Sequence, residues 1–284
     1  MKRLLPLLPA FLIVLLLFGG GLSLGVLQSF GLWSPVGQDE LSLAAYRSVF
    51  HRPAFLASLA LTVGVSVAAT AGAVALGVIA ALALRESRRR SLLLIFQLPL
   101  TVPYLVAAIG MLFLLRESGL IARVAYHAGI IAAASEFPRL VFDRAGIGIV
   151  FVYLWKQTPF IGLIVLSLLQ AGGDEYEAVA RSHGATSWQT FRHVMVPHLL
   201  PSLIPGSIII FAYTFGSFEV PLLLGRPFPS MLAVLAYREY VDVNLAMRAE
   251  AMALGVTITL LVIGLGAGYR WALRSGYRGR LADG

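Results

Sequence analysis

The sequence predicts an all-α integral membrane protein that crosses the bilayer six times. Hydrophobic residues make up 58% of the 284 residues and charged residues 13%, whereas about a quarter of a soluble domain is charged. The long apolar runs lack the strict alternation of membrane β-strands. Six runs approach or exceed the length of about 20 residues that a helical span needs: 4–27, 55–84, 92–115, 147–169, 199–224 and 251–269. We therefore expect one transmembrane domain over residues 1–284.

The first run begins with a basic and leucine-rich stretch, MKRLLPLLPAFLIVLLLFGGG, that is similar to a secretory signal peptide. No clear cleavage site with small residues follows, and further spans come after it. We therefore expect this stretch to remain in the protein as its first helix.

Arginines predict how the spans are oriented. The segment Arg85–Arg90, with the sequence RESRRR, and the tail residues Arg270, Arg274, Arg278 and Arg280 are strongly basic. Basic residues near span ends stay on the cytoplasmic side, so both termini are predicted to be cytoplasmic. The net charge of +8 is interpreted as this topology signal, and nucleic-acid binding is not expected.

A polar segment, residues 173–198, interrupts the apolar sequence between the fourth and fifth runs. Asp174 follows two glycines and is a candidate N-cap, and Glu175 and Glu177 fall in the first turn, where the helix dipole favours acids. Gly184 is expected to end this helix. The segment is therefore predicted to begin with a short surface helix.

A second short helix is predicted after the glycine. Ser187 is expected to cap it, and it runs toward Pro197. Because the helix pair lies between two membrane spans, it must project from one face of the bilayer. The basic residues of segment 85–90 and of the tail predict that this face is the cytoplasmic one. A surface element held by two anchors is suited to binding a partner.

The chain offers no catalytic, metal-binding or nucleotide-binding motif. Cysteine is absent, which excludes disulfides and cysteine nucleophiles. The histidines form no HExxH motif, and His193 and His198 lie off a common helical face. No P-loop, GxGxxG or GxSxG sequence is present. We expect no enzyme activity, no metal and no cofactor, and energy for uphill transport would come from a partner.

Polar residues within the third, fourth and fifth runs predict a pathway across the membrane. Such residues are costly in lipid, and the prolines in QLPLTVPYL and WKQTPF bend these helices. The candidate pathway residues are Gln97, Thr101, Tyr104, Lys156, Gln157, Thr158, Tyr213, Ser217 and Glu219. A simpler interpretation is also open, in which hydroxyls bond to their own backbone and Lys156 and Glu219 pair or snorkel.

Residues 173–201 resemble the cytoplasmic EAA loop of ABC importer permeases, in which a Glu-Ala-Ala triplet precedes a glycine and an Ile-x-Leu-Pro sequence follows it. Counting from Gly184, Val194 is ten residues on, Val196 twelve and Pro197 thirteen, as in that pattern.

The first half of the pattern is offset by one residue. The triplet falls on Ala178, Val179 and Ala180, with Glu177 one position early. The segments WKQTPF and FEVPLLLG are similar to the spermidine/putrescine-type branch of type I permeases, which also has members for ferric iron, thiamine, sulfate and phosphonates.

This resemblance implies a permease subunit in a bacterial or archaeal inner membrane. A second permease subunit would complete the pathway, two cytoplasmic subunits would bind ATP, and an extracytoplasmic binding protein would deliver the substrate. The loop would contact the ATPase through Glu175, Glu177, Ala178, Ala180, Arg181, Gly184 and Pro197. A polyamine-like substrate is expected, with the other members' substrates as alternatives.

Two other classes are weighed against this one. A self-contained secondary transporter would show internal repeats, and the sequence has no matching motifs in its two halves. An intramembrane enzyme would need paired carboxylates or a nucleophile, but Glu219 is the only acid within the apolar runs.

Overall fold

The computed structural model describes residues 8–33, 40–85, 87, 89–170 and 174–282, and these residues form helices and connections without strands. The helices, in order, are α1 (Leu8–Val14), α2 (Gly20–Ser29), α3 (Ala44–His51), α4 (Pro53–Leu84), α5 (Arg90–Thr101), α6 (Tyr104–Leu115), α7 (Leu120–His127), α8 (Ile147–Leu168), α9 (Asp174–Ser182), α10 (Ser187–Thr190), α11 (Val196–Gly216), α12 (Glu219–Leu224), α13 (Leu232–Tyr240) and α14 (Met247–Ala282). The expected all-α membrane fold is confirmed.

Six helical stretches are long and apolar enough to cross a membrane: Phe11–Ser29, Pro53–Leu84, Tyr104–His127, Ile147–Leu168, Ser187–Gly216 and Met247–Arg270. A π turn joins α1 to α2, and another, at Phe191–Met195, joins α10 to α11. The fifth stretch therefore begins in the polar segment and enters the bundle as one continuous helix.

Two boundaries differ from the sequence expectation, and proline is the reason at the first. We expected one bent helix over 92–115, but α5 ends at Thr101 and α6 begins at Tyr104. Val102 is extended (ψ 128°) because it precedes Pro103. We also expected one span over 199–224, but α11 ends at Gly216 and α12 is a separate short helix.

The centre of the bundle is α8, which packs against α4, α5, α6, α11 and α12. Of its apolar window, 56% is buried, whereas none of the first span's window is buried. The first span touches the rest of the bundle mainly where α2 packs on α14. The central helix α8 therefore contacts both helix pairs, α5–α6 and α11–α12.

Glycines let α8 approach both α4 and α5 closely. A Cβ placed on Gly77 would lie 2.8 Å from Ile161 Cγ2, and one on Gly162 would lie 2.5 Å from Phe96 Cζ. Small residues at such crossings allow membrane helices to pack backbone against backbone. Close packing at these two glycines therefore fixes the position of the central helix, α8.

Candidate functional site

The polar segment forms the helix, glycine, helix unit that the sequence predicts. At the end of α9, Gly184 has φ +80°, a left-handed conformation. Its N–H donates to Arg181 O over 2.9 Å, and Ala185 N–H donates to Ala180 O over 3.1 Å. This pair of hydrogen bonds is a Schellman motif, which ends a helix and turns the chain sharply.

The start of α9 is only partly described. Asp174 lies in α9, and because residues 171–173 lie outside the described residues, the expected N-cap at Asp174 stays a prediction. The preceding residue, and the side chains of Asp174 and Glu175, lie outside the described residues. The expectation that Glu175 contributes to this surface therefore stays a prediction.

The cap of the second helix is one residue earlier than expected. We expected Ser187, but Thr186 is the N-cap: its Oγ1 accepts from Gln189 N–H over 3.3 Å. In return, Gln189 Oε1 accepts from Thr186 N–H over 2.8 Å. This capping box satisfies two amides that Ser187, already the first helical residue, could not reach in the same way.

Pro197 does not end the second helix. It is the second residue of α11 and follows the π turn, where the backbone hydrogen-bond register already changes. A proline is tolerated close to a helix start. The helix therefore passes from the polar segment into the bundle.

Glu177 ties α9 to the end of α4. Its carboxylate accepts from Arg85 Nη1 over 2.7 Å and also pairs with Arg181 one turn away. The Glu177 and Arg85 side chains are only 12% and 17% exposed. The hydrogen bond from Arg85 is the largest cause that lowers the pKa of Glu177 below its usual range. The residue that is offset from the EAA pattern thus has an intramolecular role.

The same segment exposes large apolar side chains. Tyr176, Val179 and Trp188 are 54%, 60% and 65% exposed. Ala178 is also exposed, while Ala180 is half-buried. An exposed aromatic and aliphatic surface, rimmed by charges, is typical of a protein interaction site.

The second candidate region surrounds two helix breaks, the first between α5 and α6 and the second between α11 and α12. Two consecutive residues of α8, Lys156 and Gln157, extend toward the first and the second break. Lys156 is 4% exposed and lies at the first break. Its Nζ is 2.5 Å from both Pro99 O and Val102 O. It also lies 4.7 Å from the centre of the Tyr104 ring.

Gln157 reaches toward the second break. Its Nε2 donates to Thr214 Oγ1 over 2.7 Å, near the end of α11. Thr214 donates its own proton to Ile210 O over 2.9 Å, so it must accept from Gln157, and this fixes the orientation of the amide. The remaining Gln157 Oε1 is buried and has no hydrogen-bond partner within the described part of the chain.

Three tyrosines lie together between the breaks. The ring centres of Tyr104 and Tyr213 are 4.6 Å apart, and Tyr153 is 6.0 Å from the first and 6.5 Å from the second. The sequence interpretation missed Tyr153, which is fully buried. Its position three residues before Lys156, on the same face of α8, was the available signal.

The other predicted pathway residues are more dispersed. Thr101 is exposed and its hydroxyl donates to Leu98 O of its own helix, as the simpler interpretation expected. Gln97 is half-buried on α5, and Thr158 Oγ1 is buried without a partner among the described residues. Ser217 follows the end of α11, and Glu219 is exposed at the start of α12.

No cluster of three or more potential metal ligands occurs in the part of the chain that the structure describes. His193 and His198, which the sequence placed on different helical faces, make separate contacts. His198 packs 5.0 Å from the ring of Tyr176, and His193 Nδ1 lies 3.1 Å from Gln189 O.

The sequence and the fold match known membrane transport proteins. Residues 73–272 match the family model for the binding-protein-dependent transport system inner membrane component. The molybdenum transport system permease protein ModB of Mycobacterium tuberculosis is 30% identical over 222 residues, which cover 76% of this chain and 80% of that protein.

Solved structures agree on the fold. A bacterial ABC transporter involved in the import of the acidic polysaccharide alginate has a chain with TM-score 0.78, 16% identity and 96% coverage of each chain. The bacterial alginate ABC transporter in complex with an alginate pentasaccharide-bound periplasmic protein gives TM-score 0.74 at 18% identity, covering 94% of this chain and 91% of that one.

The chain belongs to the family of binding-protein-dependent transport system inner membrane components, that is, the permeases of ABC importers. It is a transport subunit and not an enzyme, because this family contributes the membrane component while ATP hydrolysis belongs to a separate subunit.

Proposed function

We propose that this chain forms half of the substrate pathway of an ATP-driven importer and is coupled to an ATPase through the α9–Gly184–α10 loop. The observation that carries the proposal is the loop itself. It exposes Tyr176, Val179 and Trp188, it is anchored to α4 through Glu177, and its second helix continues into α11. A partner that moves the loop therefore moves a helix of the bundle.

The proposed coupling surface comprises Glu175, Glu177, Ala178, Ala180, Arg181, Gly184 and Pro197. The residues of this surface have different proposed roles. Glu177 and Arg181 hold α9 in place, the alanines keep it slim enough to enter a cleft, and Gly184 sets the angle between the helices. Pro197 lies where the second helix enters the bundle.

The proposed assembly follows from the family. Two ATP-binding subunits would lie on the side of the loop, a second permease subunit would face this one within the lipid, and a substrate-binding protein would dock on the other side. The periplasmic protein in the alginate complex supports the last of these partners. ATP would be bound by the ATPase, so the chain itself would need no cofactor.

The proposed orientation places the loop and both termini in the cytoplasm of a bacterial or archaeal cell, with the chain in the inner membrane. Arg85 and the arginines of the tail support it by the positive-inside rule. No nucleic-acid partner is proposed for this basic chain.

The proposed pathway passes the tyrosines between the helix breaks, with Gln97, Thr101, Thr158 and Ser217 along or near it. A small oxyanion is the first candidate substrate, because ModB, similar over three quarters of this chain, is named for molybdenum transport. The oxyanion class also includes the sulfate and phosphonate alternatives named above.

A polyamine is the second candidate, and a different observation favours it. Glu219 is an exposed carboxylate at the second break, Gln157 Oε1 is a buried acceptor without a partner in the described chain, and Tyr213 is partly exposed. Carboxylates and aromatic faces suit ammonium groups. The ammonium of Lys156 is already occupied by backbone oxygens.

Transport by the reconstituted importer tests these proposals. Proteoliposomes that hold the permease, its ATPase and its binding protein should accumulate labelled molybdate, sulfate or spermidine only with ATP at the ATPase side. Gly184→Asp should abolish accumulation and ATPase docking, because it adds a charge to the exposed turn of the proposed coupling surface, while membrane insertion remains. Unimpaired accumulation by that variant would exclude the coupling role, and accumulation by the permease alone would favour a secondary transporter.

A further inference from the structure

The break between α5 and α6 leaves a backbone oxygen without its normal partner. In a continuous helix, Pro99 O would accept from the N–H of residue 103. Residue 103 is a proline, which has no N–H, and the extended conformation of Val102 ends the helical ladder there. Inside a membrane no water replaces the missing donor, so another group of the protein must supply it.

The side chain of Lys156 supplies that donor. Its Nζ lies 2.5 Å from Pro99 O and 2.5 Å from Val102 O, with a longer contact of 3.5 Å to Leu100 O. These three oxygens match the three N–H bonds of an ammonium group. A positive charge at the carboxyl end of α5 is also favoured by the helix dipole.

The same ammonium reaches the helix after the break. It lies 4.7 Å from the ring centre of Tyr104, the first residue of α6, and that ring lies 4.6 Å from Tyr213 of α11. One buried side chain thus contacts the end of α5, the start of α6 and, through Tyr104, the cluster of tyrosines.

We propose that Lys156 is a positioning residue that fixes the angle between α5 and α6 and thereby sets the place of Tyr104, and that it does not bind the substrate. With its hydrogen bonds occupied and 4% of its surface exposed, it has no donor to offer an anion. Its importance for transport rests on the proposed function, whereas its effect on the helix angle does not.

Spin labels can measure the angle directly, because the chain contains no cysteine. Leu94→Cys on α5 and Phe113→Cys on α6 are 57% and 64% exposed and place one label on each side of the break. The full chain, in lipid nanodiscs without substrate or nucleotide, should give one narrow label-to-label distance distribution.

Lys156→Met keeps the length of the side chain but removes its donors. It should broaden this distribution or add a second population displaced by several Å, since nothing else replaces the Pro103 amide. Thr259→Val on α14, which loses only an exposed hydroxyl bonded within its own helix, is the control and should leave the distribution unchanged. An unchanged distribution in Lys156→Met would overturn the proposal.

Pro103→Ala provides a second measurement if Lys156→Met folds poorly. It restores an N–H at residue 103, so the loss of thermal stability caused by Lys156→Met should be smaller in the Pro103→Ala background. Equal losses in the two backgrounds would contradict the proposal. In transport assays, a substrate contact would show a rise in KM for anions alone, whereas a positioning role should lower the maximal rate for every transported substrate.

Discussion

Arg85 Nη1 donates to Glu177 Oε2 over 2.7 Å and so connects the end of α4 to α9, 92 residues further along the chain. Both side chains are largely buried, although they lie at the edge of the bundle. Breaking one partner of such a pair leaves the other charge poorly solvated. The loop that is proposed to receive the ATPase is therefore also held by a second span.

Removing this connection should impair coupling more than membrane insertion. We expect Arg85→Met and Glu177→Gln each to lower transport-coupled ATP hydrolysis by roughly tenfold, the equivalent of about 1.4 kcal/mol. Arg139→Met is the control: this side chain lies outside the proposed coupling surface and is 81% exposed in its pair with Glu117, and exposed ion pairs contribute at most about 1 kcal/mol. Equal effects of the three variants would contradict a special role for Arg85.

The contribution of the Arg85 pair should not change around neutral pH. Because Arg85 lowers the folded-state pKa of Glu177, the stabilisation is complete above the ordinary carboxyl pKa of about 4.3 and is lost only as the pH falls through the lowered value. Thermal unfolding of the wild type and of Glu177→Gln should therefore differ by a constant amount between pH 6 and pH 8. A difference that shrinks across this range would contradict the sign of the shift.

The turn at Gly184 has space for a side chain, but its left-handed backbone conformation disfavours most residues other than glycine. A Cβ there would meet no atom within 4 Å, so the cost of Gly184→Ala comes from φ +80° and should be about 1–2 kcal/mol. Gly184→Asn should cost less, because asparagine adopts this conformation more readily. Hydrogen exchange of the Gly184 and Ala185 amides would measure both. Equal protection in the two variants would show that the turn is set by packing.

Substitutions at the start of α10 can separate the observed cap from the expected one. Thr186→Ala should cost about 1 kcal/mol of local stability, since it removes the capping oxygen. Ser187→Ala should be nearly neutral, because Ser187 is the first helical residue and not the cap. Exchange of the Gln189 amide reports the difference. A larger effect at Ser187 would contradict the observed capping box.

Local features were predictable from sequence where one residue determines the backbone. Gly184 ends α9 as expected because few other residues adopt its conformation, and the length of the apolar runs predicted the membrane helices. The cap was assigned one residue late, although the Thr186-x-x-Gln189 spacing of a capping box was present. Sequence patterns of this kind act over one or two turns and need no knowledge of the fold.

The polar cluster could be predicted only in part. Lys156, Gln157, Tyr104 and Tyr213 were recognised as costly in lipid, and the structure brings them together. Their partners could not be deduced, since Lys156 bonds to oxygens 54 to 57 residues away and this depends on how α8 packs beside the break. Tyr153 was missed because a tyrosine in an apolar run is common in membrane helices.

Glu239 should make the packing of α13 depend on pH. Burial is the main cause that raises its pKa to about 7, with smaller increases from Glu250 and Asp242, and these effects exceed the opposing effect of Arg52, whose Nη1 donates to it over 2.8 Å. A raised folded-state pKa means that the folded protein binds the proton more tightly than the unfolded chain.

The stabilising contribution of Glu239 is therefore complete below about pH 4.3, the ordinary pKa of a glutamate, and is lost as the pH rises to about 7. Thermal unfolding of the full chain in detergent between pH 4.5 and pH 8 should show this decline, and Glu239→Gln should flatten it. Glu117→Gln, which removes an exposed pair with Arg139, is the control. A decline that persists in Glu239→Gln would assign it to another group.

The contact between α4 and α8 should be sensitive to a single methyl group. On Gly77, a Cβ would lie 2.8 Å from Ile161 Cγ2 and 3.0 Å from the backbone N of Gly162, and backbone cannot move aside as a flexible side chain can. Gly77→Ala should lower the free energy of unfolding by about 1–3 kcal/mol, the usual range for overpacking.

Gly64 provides a matched control in the same helix, because a Cβ there would meet no atom within 4 Å. Gly64→Ala should leave stability unchanged or raise it slightly, since alanine favours the helix more than glycine does. Thermal unfolding in one detergent would compare the two variants, with transport measured in parallel. If Gly77→Ala proved as stable as Gly64→Ala, α8 would have room to move away from α4, and close packing could not be what fixes Lys156 and Gln157 opposite the two breaks.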